Sequence, residues 1–152
     1  MKKLFYILPE YTKNISSHFR YNVELLEEAA KKMKIFLFIE KGESPTVKNI
    51  QKVYVAKFSF LPLRFIERFF VFFMARLFGY RNFYSHYGYL SALIAAIFGR
   101  LYFWHCEMRG EYECSDCVSS NVLVDRPFRK ILKKCYRLVT CTELMKEYYG
   151  FK

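Results

Sequence analysis

Glycine is scarce in this chain: there are six in 152 residues, and the first is Gly42. The opening apolar segment Lys3 to Leu8 (KLFYIL) therefore runs into Pro9-Glu10 with neither Gly-x-Gly-x-x-Gly nor Gly-x-x-x-x-Gly-Lys-Ser/Thr behind it. Both motifs bring backbone N–H groups against phosphate, so a nucleotide cradled at that turn is excluded. No Gly-x-Ser-x-Gly is present either, which removes the nucleophile elbow of the α/β-hydrolases. Long apolar runs are also missing. The nearly uncharged stretch Asn82 to Gly99 is broken by Ser85, His86 and Gly88, and its densest part is Tyr87 to Phe98. A bilayer span needs about 20 apolar residues. Leu4 to Leu8 is too short for a secretory leader. Acidic residues are few, fourteen against twenty-five Lys and Arg, giving a net charge of +11 and implying an anionic partner. Five cysteines, an odd number, suit a reducing compartment. The expectation is a cytoplasmic protein, peripheral at the inner face of a membrane.

What is abundant is apolar surface. The chain is 53% hydrophobic and 20% aromatic, which excludes disorder. Its length suits one domain over residues 1–152, burying roughly 70% of its unfolded surface. Short continuous apolar runs read as buried strands: Lys3 to Leu8, Ile35 to Ile39, Val53 to Ala56, Asn82 to Ser85, Leu101 to Trp104 and Leu138 to Cys141. Helices are predicted between them. The first is capped by Ser16 or Ser17 and runs to about Met33; others cover Leu63 to Phe78 behind Pro62, Tyr89 to Phe98, Pro127 to about Tyr136, and Glu143 to Tyr149. Apolar strands alternating with helices indicate a doubly wound, mostly parallel, Rossmann-like sheet in a three-layer α/β/α domain.

Such sheets bind ligands beyond the carboxyl ends of their strands. The chemically useful residues gather there: Glu10 after the first strand, Glu40-Lys41 after the second, His86 after the fourth, His105-Cys106-Glu107 after the fifth, Thr142-Glu143 after the sixth. His18 lies in the turn from the first strand to the first helix, so all three histidines of the chain fall on one predicted rim. A single histidine there is ordinarily structural; three point to a working pocket.

A strand ending Leu8-Pro9-Glu10, His18-Phe19 opening a helix, "FYSHYGYLSALIAAIFG" before a strand ending "WHCE", and the closing "RLVTCTELMKEYYG" occur in that order. Together they resemble the N-terminal, acceptor-side domain of a family 4 glycosyltransferase of GT-B architecture. The resemblance implies retaining transfer of a sugar from a nucleotide-sugar donor to a glycan or lipid-linked acceptor, with no bound metal or cofactor. By position it maps the family's cleft histidine onto His105, with His86 on the preceding strand exit; His18, Glu10, Glu107, Thr142 and Glu143, on the same predicted rim, are the candidate substrate-binding residues. The family's donor site uses two Glu separated by seven residues, a spacing no pair of Glu in this chain has. The expectation is an acceptor half whose C-terminal donor domain is absent or separate, and which is inactive by itself.

Three features stand outside that reading. Cys114-Ser-Asp-Cys117, with Cys106 nearby, can be half a zinc site, a redox pair or a polar loop with incidental thiols. On the Leu63–Phe78 helix, Arg64, Glu67, Arg68 and Arg76 share one half-circle, opposite Leu63, Phe65, Ile66, Phe69, Phe70 and Phe73. That is either a core face and a solvated face, or a membrane contact in which Arg64, Arg68 and Arg76 meet anionic headgroups while Phe72 inserts. A basic binding module without catalysis is the competing function. Nucleic acid is the weaker partner for it, because the aromatics lie within apolar elements and do not alternate with Arg and Lys along a strand.

Overall fold

The computed structural model describes residues 2–13, 18–104 and 130–140, with the side chains of residues 18–20 excepted. Six strands and three helices follow one another as β1 (Lys3–Leu8), α1 (His18–Ala30), β2 (Lys34–Ile39), β3 (Lys52–Val55), α2 (Leu61–Leu77), β4 (Asn82–His86), α3 (Tyr89–Phe98), β5 (Arg100–Trp104) and β6 (Arg137–Val139). Residues 130–134 are helical and precede β6. All six strands pair in parallel, in the order β3-β2-β1-β4-β5-β6. The chain winds outward in one direction from β1 and, after crossing back, in the other from β4. The doubly wound class expected from the alternating pattern is what the backbone forms. The predicted last helix, Glu143 to Tyr149, lies outside the described residues.

The central strands β1 and β2 bury both faces, as a parallel sheet between helices requires, while the edge strands β3 and β6 are half-buried or exposed. Phe5, Ile7, Phe36, Phe38, Phe83 and Phe103 face Phe72 and Ala75 of α2, Ala92 and Ala95 of α3, and Ile131. Tyr6, Leu8, Ile35, Leu37 and Ile39 face Val23, Leu26 and Ala30 of α1. Phe5 sits at the centre, its ring 4.7 Å from Phe36, 4.8 Å from Phe72 and 5.1 Å from Phe83. Such mixed tilted and edge contacts let aromatic rings fill a core densely.

The helix α2 reverses the expectation drawn from its sequence. Glu67, Arg68, Phe72 and Ala75 are its buried residues, while Phe65, Ile66, Phe69, Phe70 and Phe73 are all more than 40% exposed. Arg68 and Phe72 are both 0% exposed, so neither can meet a headgroup or insert into a bilayer. The polar stripe goes inward because its charges are matched there. The Glu67 carboxylate accepts from the Tyr54 hydroxyl at 2.9 Å and from the backbone N–H of Lys57 at 2.8 Å. Burial, then the hydrogen bond and charge of Glu67, push the Tyr54 phenol up to about 12. Arg68 finds partners as well, described below. Among the described residues no helix is long and apolar enough to cross a membrane.

Candidate functional site

In a sheet of this order the progression reverses between β1 and β4, leaving a crevice beyond their carboxyl ends. Here β1 delivers Pro9, Glu10 and Tyr11 to that edge, β2 delivers Glu40 and Lys41, and β4 delivers His86, Tyr87 and Gly88. Two cavities open beside the crevice, one on each side.

The first is held together by Glu40. Its carboxylate accepts a hydrogen bond from Ser91 Oγ in the first turn of α3 and lies 3.6 Å from Arg68 Nε. Arg68 Nε also donates to Ser91 Oγ at 2.9 Å, and its Nη1 to the carbonyl of Arg64 at 3.2 Å. Burial lowers the guanidinium's affinity for its proton, and Glu40 is the largest effect opposing it. This network locks the exit of β2 to the start of α3 and to the middle of α2. Gly88 permits it: a Cβ there would stand 2.9 Å from Glu40 Oε1. Beside the network lies a cavity of about 310 Å³ bordered by Glu40, Lys41, Lys57, Ser59 and Arg64.

The exits of β1 and β2 are joined by a bridge between Tyr11 and Gly42, with Tyr11 N–H donating to the Lys41 carbonyl at 3.1 Å and Glu43 N–H to the Tyr11 carbonyl at 2.8 Å. Gly42 has φ +110°, and a side chain there would strike the Tyr11 backbone. Gly42→Ala is expected to cost roughly 1–3 kcal/mol from the backbone conformation, with the collision adding to it, measured as a lower urea midpoint. An unchanged midpoint would show that this bridge is dispensable.

The second cavity, about 420 Å³, is aromatic and lies on α1's side of the sheet. His86 lies flat on Trp104, ring centroids 3.8 Å apart at 11°, and Tyr87 meets Trp104 edge-on at 4.7 Å. Deeper in, Tyr6 and Tyr84 stack at 4.9 Å. Burial, then the neighbouring Tyr84, push the Tyr6 phenol well above its usual range, so it stays neutral. Tyr21 and Asn22 of α1 form the far wall. Tyr87 is held at φ 63°, a conformation side chains disfavour, in a tight turn closed by Gly88 N–H donating to the His86 carbonyl at 2.9 Å. Non-glycine residues held at positive φ concentrate at ligand sites. Aromatic faces, phenol hydroxyls, an imidazole and an amide around a saccharide-sized void suit a neutral, hydroxyl-rich ligand.

The residues named from sequence fare unequally. Glu10 and His86 both reach the carboxyl edge; Glu10 pairs with Lys41 at 3.5 Å, and His86 is 3% exposed. His18 begins α1, with its side chain outside the described residues. His105, Glu107, Thr142, Glu143, Cys106, Cys114 and Cys117 all lie outside the described residues. Arg64 and Arg76 are half-buried, Arg64 on the cavity beside Glu40. Trp104, Tyr87, Tyr84 and Tyr6 were not singled out from sequence. Aromatic residues in an apolar strand read as core, and only strand alternation, with Tyr84, His86, Tyr102 and Trp104 on one face of adjoining strands, distinguishes them. No known protein-family model matches the chain, and no curated protein matches it significantly. Fold and site together define a Rossmann-like α/β protein with an aromatic crevice at its switch point.

Proposed function

We propose that this chain is the acceptor-binding half of a GT-B glycosyltransferase, and that it works at an anionic membrane surface. In this reading it holds a glycan or lipid-linked acceptor while a donor half, on the same or another polypeptide, supplies the nucleotide sugar for retaining transfer. The observation that carries it is the aromatic cavity around His86 and Trp104 beside the β1/β4 switch point. The C–H faces of a pyranose desolvate well against indole, imidazole and phenol rings, while hydroxyls at the rim orient it. The scarcity of glycine at the β1 exit agrees: that turn has no glycine loop whose backbone N–H groups could cradle a nucleotide's phosphates. The membrane address is supported by the exposed apolar face of α2 and by the net charge of +11.

Trp104 is the chain's one tryptophan, so tryptophan emission, excited selectively at the red edge where tyrosine does not absorb, reports on this cavity. Titration with a panel of free hexose oligosaccharides is expected to give a saturable change in emission with at least one of them, and none with uridine diphosphate. Tyr21→Ala, at the 62% exposed rim, is expected to weaken that binding roughly 2–10-fold, as loss of one aromatic contact does. A response to uridine diphosphate and to no saccharide would place donor binding here and reverse the assignment.

A further inference from the structure

The cavity beside Glu40 is a different void from the aromatic one and has different chemistry. Lys41, Lys57 and Arg64 border it. Glu40 is the acid on its wall, and the buried Arg68 offsets that charge at 3.6 Å. Glu67 adds a second carboxylate beneath Lys57, and Glu10 competes from outside through its 3.5 Å pair with Lys41. The side chains of Glu10 and Lys41 are 44% and 78% exposed, so the pair is weakly held. The segment carrying Lys57 is fixed before any ligand arrives: Glu67 accepts from the Lys57 N–H at 2.8 Å and from the Phe58 N–H at 3.4 Å. Ser59 and Arg64 flank the start of α2, whose first turn contains no acidic residue. The cavity is therefore a pre-formed concavity around which Lys41, Lys57, Arg64 and Arg68 outnumber Glu10, Glu40 and Glu67.

We infer that this cavity at the exits of β1, β2 and β3 is a subsite for a phosphate or diphosphate group, gripped by Lys57 and Arg64 with Lys41 at its mouth. Charge-assisted contacts from lysine and arginine are the strong way to hold a dianion, and the fixed backbone under Lys57 lowers the ordering cost. The phosphate can come from a soluble phosphorylated compound or from a lipid headgroup. Exposed Phe58, Phe60, Leu61 and Leu63 beside the cavity would suit the second. This inference does not depend on the saccharide reading, because another cavity and another readout carry it.

The probe is inorganic pyrophosphate, followed by calorimetry on the full chain. It is expected to bind, and the Lys57→Ala/Arg64→Ala variant to bind at least tenfold more weakly. The exposed control Lys32→Ala should leave binding unchanged. Both replaced residues use their backbone, not their side chains, for the hydrogen bonds that shape the loop, so the fold should survive, as a thermal melt would verify. Should the double variant fail to fold, the charge reversal Lys41→Glu at an exposed position gives the same comparison. Phosphatidylcholine vesicles with and without phosphatidic acid separate the sources. Loss of phosphatidic-acid-dependent binding in the double variant, with competition by pyrophosphate, assigns a lipid headgroup. Vesicle binding unaffected while pyrophosphate binding is lost assigns a soluble ligand. Absence of pyrophosphate binding to the parent chain, or equal weakening by Lys32→Ala, overturns the inference.

Discussion

Replacing Arg68 with methionine is expected to destabilise the fold by about 3–5 kcal/mol, the usual cost of removing one member of a buried ion pair. Arg68 is fully buried, and the Glu40 side chain beside it is only 13% exposed. Methionine keeps much of the volume and the contact with Phe38, over whose ring the guanidinium sits at 5.7 Å, but it abandons the carboxylate. Ser91 Oγ keeps its bond to Glu40 and loses the donation from Arg68 Nε, and the Arg64 carbonyl loses the bond from Nη1. Most of the penalty is the charge left behind, so Arg68→Met/Glu40→Gln should recover a large part of it. Urea unfolding of the four members of that double-mutant cycle measures the coupling. If Arg68→Met alone falls within about 1 kcal/mol of the parent, Glu40 is solvated well enough to stand by itself, and the proposed lock between β2, α2 and α3 dissolves.

The same network shows where sequence reasoning reaches and where it stops. Strands were legible because a parallel sheet needs continuous apolar runs, and KLFYIL and IFLFI cannot be anything else at that length. Helix α3 was legible to the residue, Tyr89 to Phe98, between Gly88 and Gly99. The orientation of α2 was not. Periodicity favours the face with more phenylalanine, yet the side that packs carries Glu67 and Arg68 beside Phe72 and Ala75. The choice is decided by partners far away in sequence: Glu40 and Ser91 engage Arg68, Tyr54 engages Glu67, and Phe5 and Phe83 wait for Phe72. No local pattern encodes such matches. For the site, strand ends were enough to bring Glu10 and His86 to the right edge. They were silent on Trp104 and Tyr87, whose role depends on register between β4 and β5 and on a backbone turn at φ 63°.

The outward face of α2 carries the other large expected effect. Ile66 and Phe70 are 61% and 62% exposed, four residues apart and so on one side of the helix. Ile66→Ser/Phe70→Ser should leave stability within about 0.5 kcal/mol, since neither side chain is in the core. Binding to vesicles containing phosphatidylglycerol should fall roughly 100-fold or more. Burying such a side chain is worth about 1.5–3 kcal/mol each, and every 1.4 kcal/mol is tenfold in affinity. The chain's net charge of +11 adds an electrostatic part that high salt should weaken and serine substitution should not touch. Salt and substitution therefore act separately, and their effects on vesicle affinity should multiply. The opposite result would be a parent chain that ignores vesicles and a double variant that changes from dimer to monomer in sedimentation. That outcome would make this face an interface with a second copy and withdraw the membrane address, while leaving the aromatic crevice, on the other side of the sheet, to be tested by itself.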